Sequence, residues 1–293
     1  MTDLHSHSTC SDGTYTPAEM LSLAEEAGLT LFSITDHDHI DAYESFRDPA
    51  VRNRFSGKLI TGTEITCILR GQTMEILGYG YDPAKLEAYI ATKRRPPVFP
   101  PRELQMLYKA YLERGERLDW PMERYSKEEF ISPKRMLWHQ LKHPDNRRFF
   151  LNPENQENMT GYYRQELYNP ESPLYVDYTP LFGSPRDAVD AIHAAGGLAF
   201  LAHCYQYTEV IYDHLEEIIK ELPLDGIECW YSTFTAEQSA YLEQFCETHG
   251  LLMSGGSDFH GGNRPGTKLG TGNEGSLKVK TEKVLSWAEK YVF

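Results

Sequence analysis

The chain has 293 residues, above the usual domain of about 100–200 and near the roughly 250 of one α/β barrel, so one large domain, or one carrying a graft, is the starting bound. Hydrophobic residues are 40% and charged residues 25%, which excludes a chain disordered by composition. With 29 Lys+Arg against 43 Asp+Glu the formal net charge is −14, which argues against a whole-surface binder of nucleic acid or anionic membrane and leaves surplus carboxylates available as ligands.

In chain order, Thr2 to Leu4 reads as a short apolar run, and Thr16-Pro17-Ala18-Glu19 is a capping box with Pro at the first helical position. The helix it opens turns Ala18, Leu21, Leu23 and Ala24 toward a core and stops at Gly28; Leu29 to Thr35 follows as a buried strand, completing a βαβ unit. Lys58 to Cys67 and Thr73 to Gly78 read as two more strands. From about 85 to 183 the texture changes: Arg, Pro, Tyr and Phe abound, strand patterning fades, and a mainly helical insertion is expected. The alternation resumes at Ser184-Pro185 with a helix through Ala195 and a strand from Leu198 to Ala202. Asp225 to Cys229, a capped helix from Thr235 to about Thr248, and Leu251 to Ser254 repeat it. Strands alternating with helices imply a parallel sheet with right-handed crossovers, built from residues 1–84 and 184–293 around the 85–183 insertion.

No run approaches the ~18 consecutive apolar residues of a membrane helix, and Met1 leads within four residues to His5, leaving no room for a signal peptide. A soluble cytoplasmic protein with no membrane partner is expected. The five cysteines, Cys10, Cys67, Cys204, Cys229 and Cys246, have no CxxC spacing and read as reduced and structural.

Histidines and carboxylates collect where the strands end. His5-Ser6-His7 follows the first strand, Asp36-His37-Asp38 the second, Glu64 ends the third, Glu75 lies in the fourth, His203 follows Leu198 to Ala202, and Asp258 and His260 follow the last. Catalytic groups of parallel α/β barrels converge at the C-terminal strand ends, so five of the eleven histidines point at one pocket. The period of two puts both imidazoles of the HxH pair on one face, and imidazole with carboxylate suits zinc, iron or manganese. With Asp12 of Ser11-Asp12-Gly13, the donors exceed the three or four of a mononuclear zinc site, so two or three divalent ions are implied, bridged by carboxylates. His39, His139, His143, His193, His214 and His249 lack strand-end context and read as surface or satisfied residues. Ser6 and Ser257 sit in no G-x-S-x-G elbow, which argues against a serine nucleophile.

Leu4-His5-Ser6-His7-Ser8-Thr9, Ser11-Asp12-Gly13, Ile34-Thr35-Asp36-His37-Asp38, Gly62-Thr63-Glu64-Ile65, Ile76-Leu77-Gly78-Tyr79, Ala202-His203 and Gly255-Gly256-Ser257-Asp258-Phe259-His260-Gly261 resemble the polymerase and histidinol phosphatase (PHP) family. The resemblance implies a distorted seven-stranded (β/α) barrel. In it His5, His7, Glu64 and Asp258 hold one ion, Glu64 bridges to a second ion that His203 also holds, and Asp12, His37 and His260 hold a third. Where the family commonly has His before Ile-Leu-Gly this chain has Glu75, a harder ligand, and where Pro often follows the later histidine it has Cys204. Asp258, orienting the attacking water, and His203 are the candidate catalytic residues. The implied activity is metal-dependent hydrolysis of a small nucleotide or sugar mono-, bis- or cyclic phosphate. Histidinol phosphate is a second candidate substrate, and trimming of nucleic-acid ends is a rival that needs a basic track with stacking aromatics, which the insertion's Arg and Tyr leave open although nucleic acid is not the expected partner.

Residues 91–150 carry 14 Lys+Arg against 8 Asp+Glu, while the rest of the chain carries 15 against 35. Ser132-Pro133-Lys134-Arg135 resembles the family's basic motif in the insertion, which makes Lys134 and Arg135 candidate phosphate contacts in a cap. A solvated basic face is the alternative.

Overall fold

The computed structural model describes residues 1–93, 102–121 and 133–293, and the chain divides into two compact units. The first comprises Met1–Cys67, Met74–Arg94 and Ser184–Phe293, the second Ile68–Thr73 and Arg95–Gly183. Helix Pro83–Lys93 therefore groups with the first unit, ten residues beyond the boundary expected at 85, because its apolar positions Leu86 and Ile90, four apart, are buried on one face.

The first unit is an α/β fold. Strands β1 (Thr2–Asp3), β2 (Leu31–Phe32) and β3 (Lys58–Leu59) pair in parallel in that order. A second sheet runs β4 (Gly62–Leu69), β5 (Gln72–Tyr79), β6 (Leu198–Leu201), β7 (Gly226–Tyr231), β8 (Leu252–Gly256), and a small antiparallel pair, β9 (Thr267–Lys268) and β10 (Gly272–Asn273), follows. Single backbone bonds link the two larger sheets: Leu4 N–H to Gly255 carbonyl (3.1 Å), His7 N–H to Phe259 carbonyl (2.8 Å), and Asp38 N–H to Glu64 carbonyl (2.8 Å).

Two expectations change. β6, β7 and β8 are parallel, but β5 runs antiparallel to β6. The cause is local: β4 and β5 are joined by Arg70-Gly71 alone, both at positive φ (49° and 84°), and a two-residue link reverses the chain where a parallel crossover needs a dozen residues or more. The run Lys58 to Cys67 is also two strands. Its change of sheet falls at Gly62, where a Cβ would meet Ser33 Oγ at 2.1 Å, and the Tyr43 hydroxyl bonds Ile60 carbonyl and Gly62 N–H on either side of the break. Glu64 consequently sits third in β4 instead of closing a strand.

Helix Pro17–Glu26 starts at Thr16 with the expected reciprocal capping box, and Met20, Leu21 and Ala24 pack with Phe32, Ile34, Phe55 and Leu59; Leu23 is only partly buried. Helix Ala236–His249 begins with a second capping box, Thr235 with Gln238. The second unit is built from helices Arg102–Arg114 and Pro133–Leu141 and short helical turns around Leu104, Leu107, Tyr111, Leu137, Leu141, Tyr162 and Tyr178. Among the described residues no helix is long and apolar enough to cross a membrane.

Candidate metal centre

Three donor sets overlap within the first unit, each with its ligand atoms within 4.8 Å of one another: His5, His7, Glu64 and Asp258; His7, Asp12, His37 and His260; and Glu64, Glu75 and His203. His7 joins the first two sets and Glu64 the first and third. All nine candidate ligands thus lie in one cluster, delivered by the segments after β1, β2, β6 and β8 and by β4 and β5 themselves.

At its centre is the fully buried Glu64. Its Oε2 lies 3.3 Å from His5 Nε2, 3.3 Å from His7 Nε2 and 3.0 Å from His37 Nδ1, and its Oε1 lies 3.0 Å from His203 Nε2. Asp258 Oδ1 is 3.1 Å from His7 Nε2 and 3.5 Å from His5 Nε2, while Asp12 Oδ1 is 3.2 Å from His260 Nε2. Despite this crowding, His5 Nε2, His7 Nε2, His37 Nδ1, Glu64 Oε2, His203 Nδ1 and His260 Nε2 are buried without a hydrogen bond. Leaving such atoms unsatisfied is costly, and a cation facing them removes the cost; the donor set fits divalent metal ions.

The charges agree with that fit. Burial alone would lower the imidazole pKa values of His5 and His7, but surrounding carboxylates outweigh it: Glu228, Glu64 and Asp258 raise His5 well above its usual range, and Asp258 and Glu64 raise His7 to about 9. Burial would raise Glu64 and Asp258, yet His5 with its neighbours holds both carboxyls well below the usual range. Asp12, half-exposed, is held at about 2 against burial by its hydrogen bond to His260 and by the His37 and His7 rings. Burial instead lowers His37 to about 4, so the cluster sets anionic oxygens against both protonated and neutral imidazoles, and any protons on ligating rings would be displaced when ions bind.

A supporting layer fixes the ligands. Glu228 Oε1 bonds His5 Nδ1 (3.0 Å) and its Oε2 accepts the His203 backbone N–H (2.8 Å), so the nitrogen of His5 facing the cluster is Nε2. Asp36 accepts from Ser8 N–H, Ser8 Oγ and Ser11 Oγ at 2.6–2.7 Å, shaping the loop that presents Asp12. The Tyr207 hydroxyl donates to Glu75 Oε2 (2.7 Å) and accepts the Glu75 N–H (2.8 Å). Tyr231 donates to Asp258 Oδ2 (2.6 Å), which Arg264 also pairs. Asp258 itself has φ 56°, a left-handed conformation that aspartate tolerates and that strand-to-loop turns at functional sites often need. Glu228 had a sequence signal: it is the lone charge in the apolar strand Gly-Ile-Glu-Cys-Trp-Tyr.

The PHP domain profile matches residues 3–160. The chain belongs to the PHP family. A curated relative, the 3′,5′-nucleoside bisphosphate phosphatase of Chromobacterium violaceum, is 28% identical over 277 residues, covering 92% of this chain and 90% of that protein. The 5′-3′ exoribonuclease Rnm of Escherichia coli is 26% identical over 265 residues, covering 88% and 84%. Among solved structures, an amidohydrolase from Chromobacterium violaceum with bound sulfate and no metal superposes with TM-score 0.67 at 24% identity, covering 100% of this chain and 97% of that one, which supports the fold.

The expected substrate contacts of this PHP protein lie in the second unit. Lys134 is engaged there: its ammonium is 2.8 Å from the Tyr168 hydroxyl and 3.3 Å from Glu103, beneath the rings of Tyr168 and Tyr178. Arg135 is exposed, and Ser132 lies outside the described residues.

Proposed function

We propose that this PHP protein is a metal-dependent phosphoesterase that hydrolyses a small phosphate ester and releases inorganic phosphate. The observation that carries the proposal is the overlap of three donor sets through His7 and Glu64, with His5 Nε2, His7 Nε2, His37 Nδ1, His260 Nε2 and Glu64 Oε2 buried and unpaired. Shared ligands bring cations close together, the arrangement suited to in-line displacement at phosphorus. On this reading two or three ions, zinc, iron or manganese, are held by the nine ligands, and the carboxylates Glu64 and Glu75 beside His203 favour the harder ions there. The two larger sheets are then one distorted barrel, in which β3 and β4 are a single broken run and the strands number seven.

When bound, the ions supply Lewis acidity that acidifies water and polarises the phosphoryl group. The protein's own groups orient the reactants. Asp258, kept anionic and anchored through Oδ2, turns Oδ1 toward the cluster, where it accepts a hydrogen bond from the attacking water. His203 lies on the far side of Glu64, its ring pinned through Nε2 and its backbone through Glu228. Of the expected phosphate contacts Lys134 and Arg135, Lys134 is engaged by Glu103 and Tyr168 in its own unit, which leaves the exposed Arg135 as the candidate there.

A nucleotide phosphate is the favoured substrate class, given the phosphatase relative's name. End-trimming of RNA is the second reading, favoured by the exoribonuclease relative. Metal analysis coupled to product analysis tests both, reading inorganic phosphate from nucleotides, sugar phosphates and histidinol phosphate, and mononucleotides from a 5′-phosphorylated oligonucleotide. Release from nucleotides with weak salt dependence is expected; a steep fall with salt on the oligonucleotide alone would favour the nuclease. Ion-loaded protein that releases phosphate from none of them would overturn the proposal.

A further inference from the structure

Arg264 is a cation that neither the motifs nor the ligand sets account for, and it is paired with a candidate metal ligand, Asp258. Arg264 lies six residues after Asp258, with its side chain 46% exposed while Asp258 is 4% exposed. One guanidinium nitrogen, Nη1, pairs Asp258 Oδ2 and reaches the Tyr231 hydroxyl at 3.5 Å. Nε and Nη2 make no hydrogen bond among the described residues. The loop carrying it is tied down beside the cluster. Asn263 Nδ2 donates to the Asp12 carbonyl at 2.7 Å, Gly262 N–H to Thr14 Oγ1 at 2.9 Å, and Arg264 N–H to the Gly261 carbonyl at 3.1 Å. The tether joins Arg264 to the same loop that presents Asp12, so cation and ligand are set by one piece of backbone.

We propose that Arg264 is a phosphate-binding residue of the metal centre, using its free Nε and Nη2 edge as a fork for two oxygens of the substrate phosphate. A guanidinium offers five donors in one plane, and here only one end is engaged. Asp258 and Tyr231 hold that end, which pre-orients the other without neutralising it in solvent. The role contrasts with Lys134, whose ammonium is enclosed by Glu103, Tyr168 and the tyrosine rings of its own unit. The inference rests on the phosphoesterase reading for its substrate, but its primary test is anion binding.

Inorganic phosphate is titrated into metal-loaded wild type, Arg264→Ala and Arg264→Lys, with metal content measured on each and kcat and KM measured on the best ester. Arg264→Ala should keep its ions, bind phosphate about 10-fold or more weakly and raise KM, with Arg264→Lys recovering part of the loss as a point charge without the fork. Phosphate binding within twofold of wild type in Arg264→Ala would overturn the proposal, as would loss of ions in parallel with phosphate, which would make Arg264 only a partner of Asp258. Arg264-dependent phosphate binding by a protein that hydrolyses no ester would sink the phosphoesterase reading and leave the anion site standing. Ester hydrolysis with Arg264-independent phosphate binding would do the reverse.

Discussion

Glu64 and Glu166 are both fully buried glutamates, one in each unit, and their surroundings differ in kind. Glu166 is saturated with donors: Oε1 accepts from Asn152 N–H and Asn155 Nδ2 at 2.9 Å, and Oε2 from Leu151 N–H at 2.9 Å and Ser172 Oγ at 2.5 Å. Glu64 faces four imidazoles, and its Oε2 has no hydrogen bond. A buried carboxylate satisfied by backbone and neutral donors organises its own loop. One whose Oε2 faces the unpaired ring nitrogens of His5, His7 and His37 has the surroundings of a candidate metal ligand. Burial alone would not have told the two apart; the completeness of the partners does.

The sharpest way to break this contrast is to remove both carboxylates. Glu64→Gln should lose metal and cut phosphate release by at least ~100-fold, beyond the range seen for groups that only support a ligand, while unfolding stays cooperative. Glu166→Ala should instead destabilise by about 3 kcal/mol or more, because the buried Asn155 Nδ2 and Ser172 Oγ lose Glu166 as their acceptor, with the rate per folded molecule unchanged. Melting curves and metal analysis on both variants check the pair. A rate loss in fully folded Glu166→Ala would erase the distinction.

Next in size is Glu75, the carboxylate grouped with Glu64 and His203. Glu75→Ala should lower bound metal or rate at least ~10-fold, with Tyr207→Phe giving a smaller loss in the same direction because it frees the Glu75 side chain. Unchanged metal content and rate in Glu75→Ala would remove it from the ligands.

Proton linkage sharpens the comparison without mutation. In the metal-free protein His7 keeps its proton to about pH 9, against an ordinary value of 6.5, because Asp258 and Glu64 outweigh the effect of burial. A raised imidazole pKa contributes stability that is fully present below pH 6.5 and is lost as pH rises through about 9. The metal-free protein should therefore lose stability over that window. Metal uptake at pH 7 should release protons, and affinity should rise by about tenfold per pH unit for each proton displaced, until His7 is deprotonated. Calorimetry in buffers of different ionisation enthalpy reads the proton count; zero release would contradict the assignment of His7 as a ligand.

The smallest effects on rate are expected in the second unit. Lys134→Ala should appear mainly as a lower melting temperature, since Glu103 and Tyr168 lose their cation, and Arg135→Ala as a KM raised up to ~10-fold. Both variants within twofold of wild-type kcat/KM would leave the basic stretch a solvated face.

The sequence by itself determined the kind of site and its candidate ligands, because both reside in short local patterns. His5-Ser6-His7 and Asp258-Phe259-His260 put two donors at a spacing that a strand end or tight loop presents together, and turn and cap signals placed them after strands. The PHP motifs then grouped them. The tertiary structure alone decided which atom faces which. His5 Nδ1 meets Glu228 across 223 positions and His203 Nε2 meets Glu64 across 139, and no local pattern encodes a pairing at such a separation. The same reason hid Tyr207, Tyr231 and Arg264, ordinary residues until folding sets them against Glu75 and Asp258. It also explains the strand directions: helix and strand alternation pointed to a wholly parallel sheet, whereas two residues at positive φ, Arg70 and Gly71, reverse β5 and place Glu75 opposite the β6 segment that leads into His203.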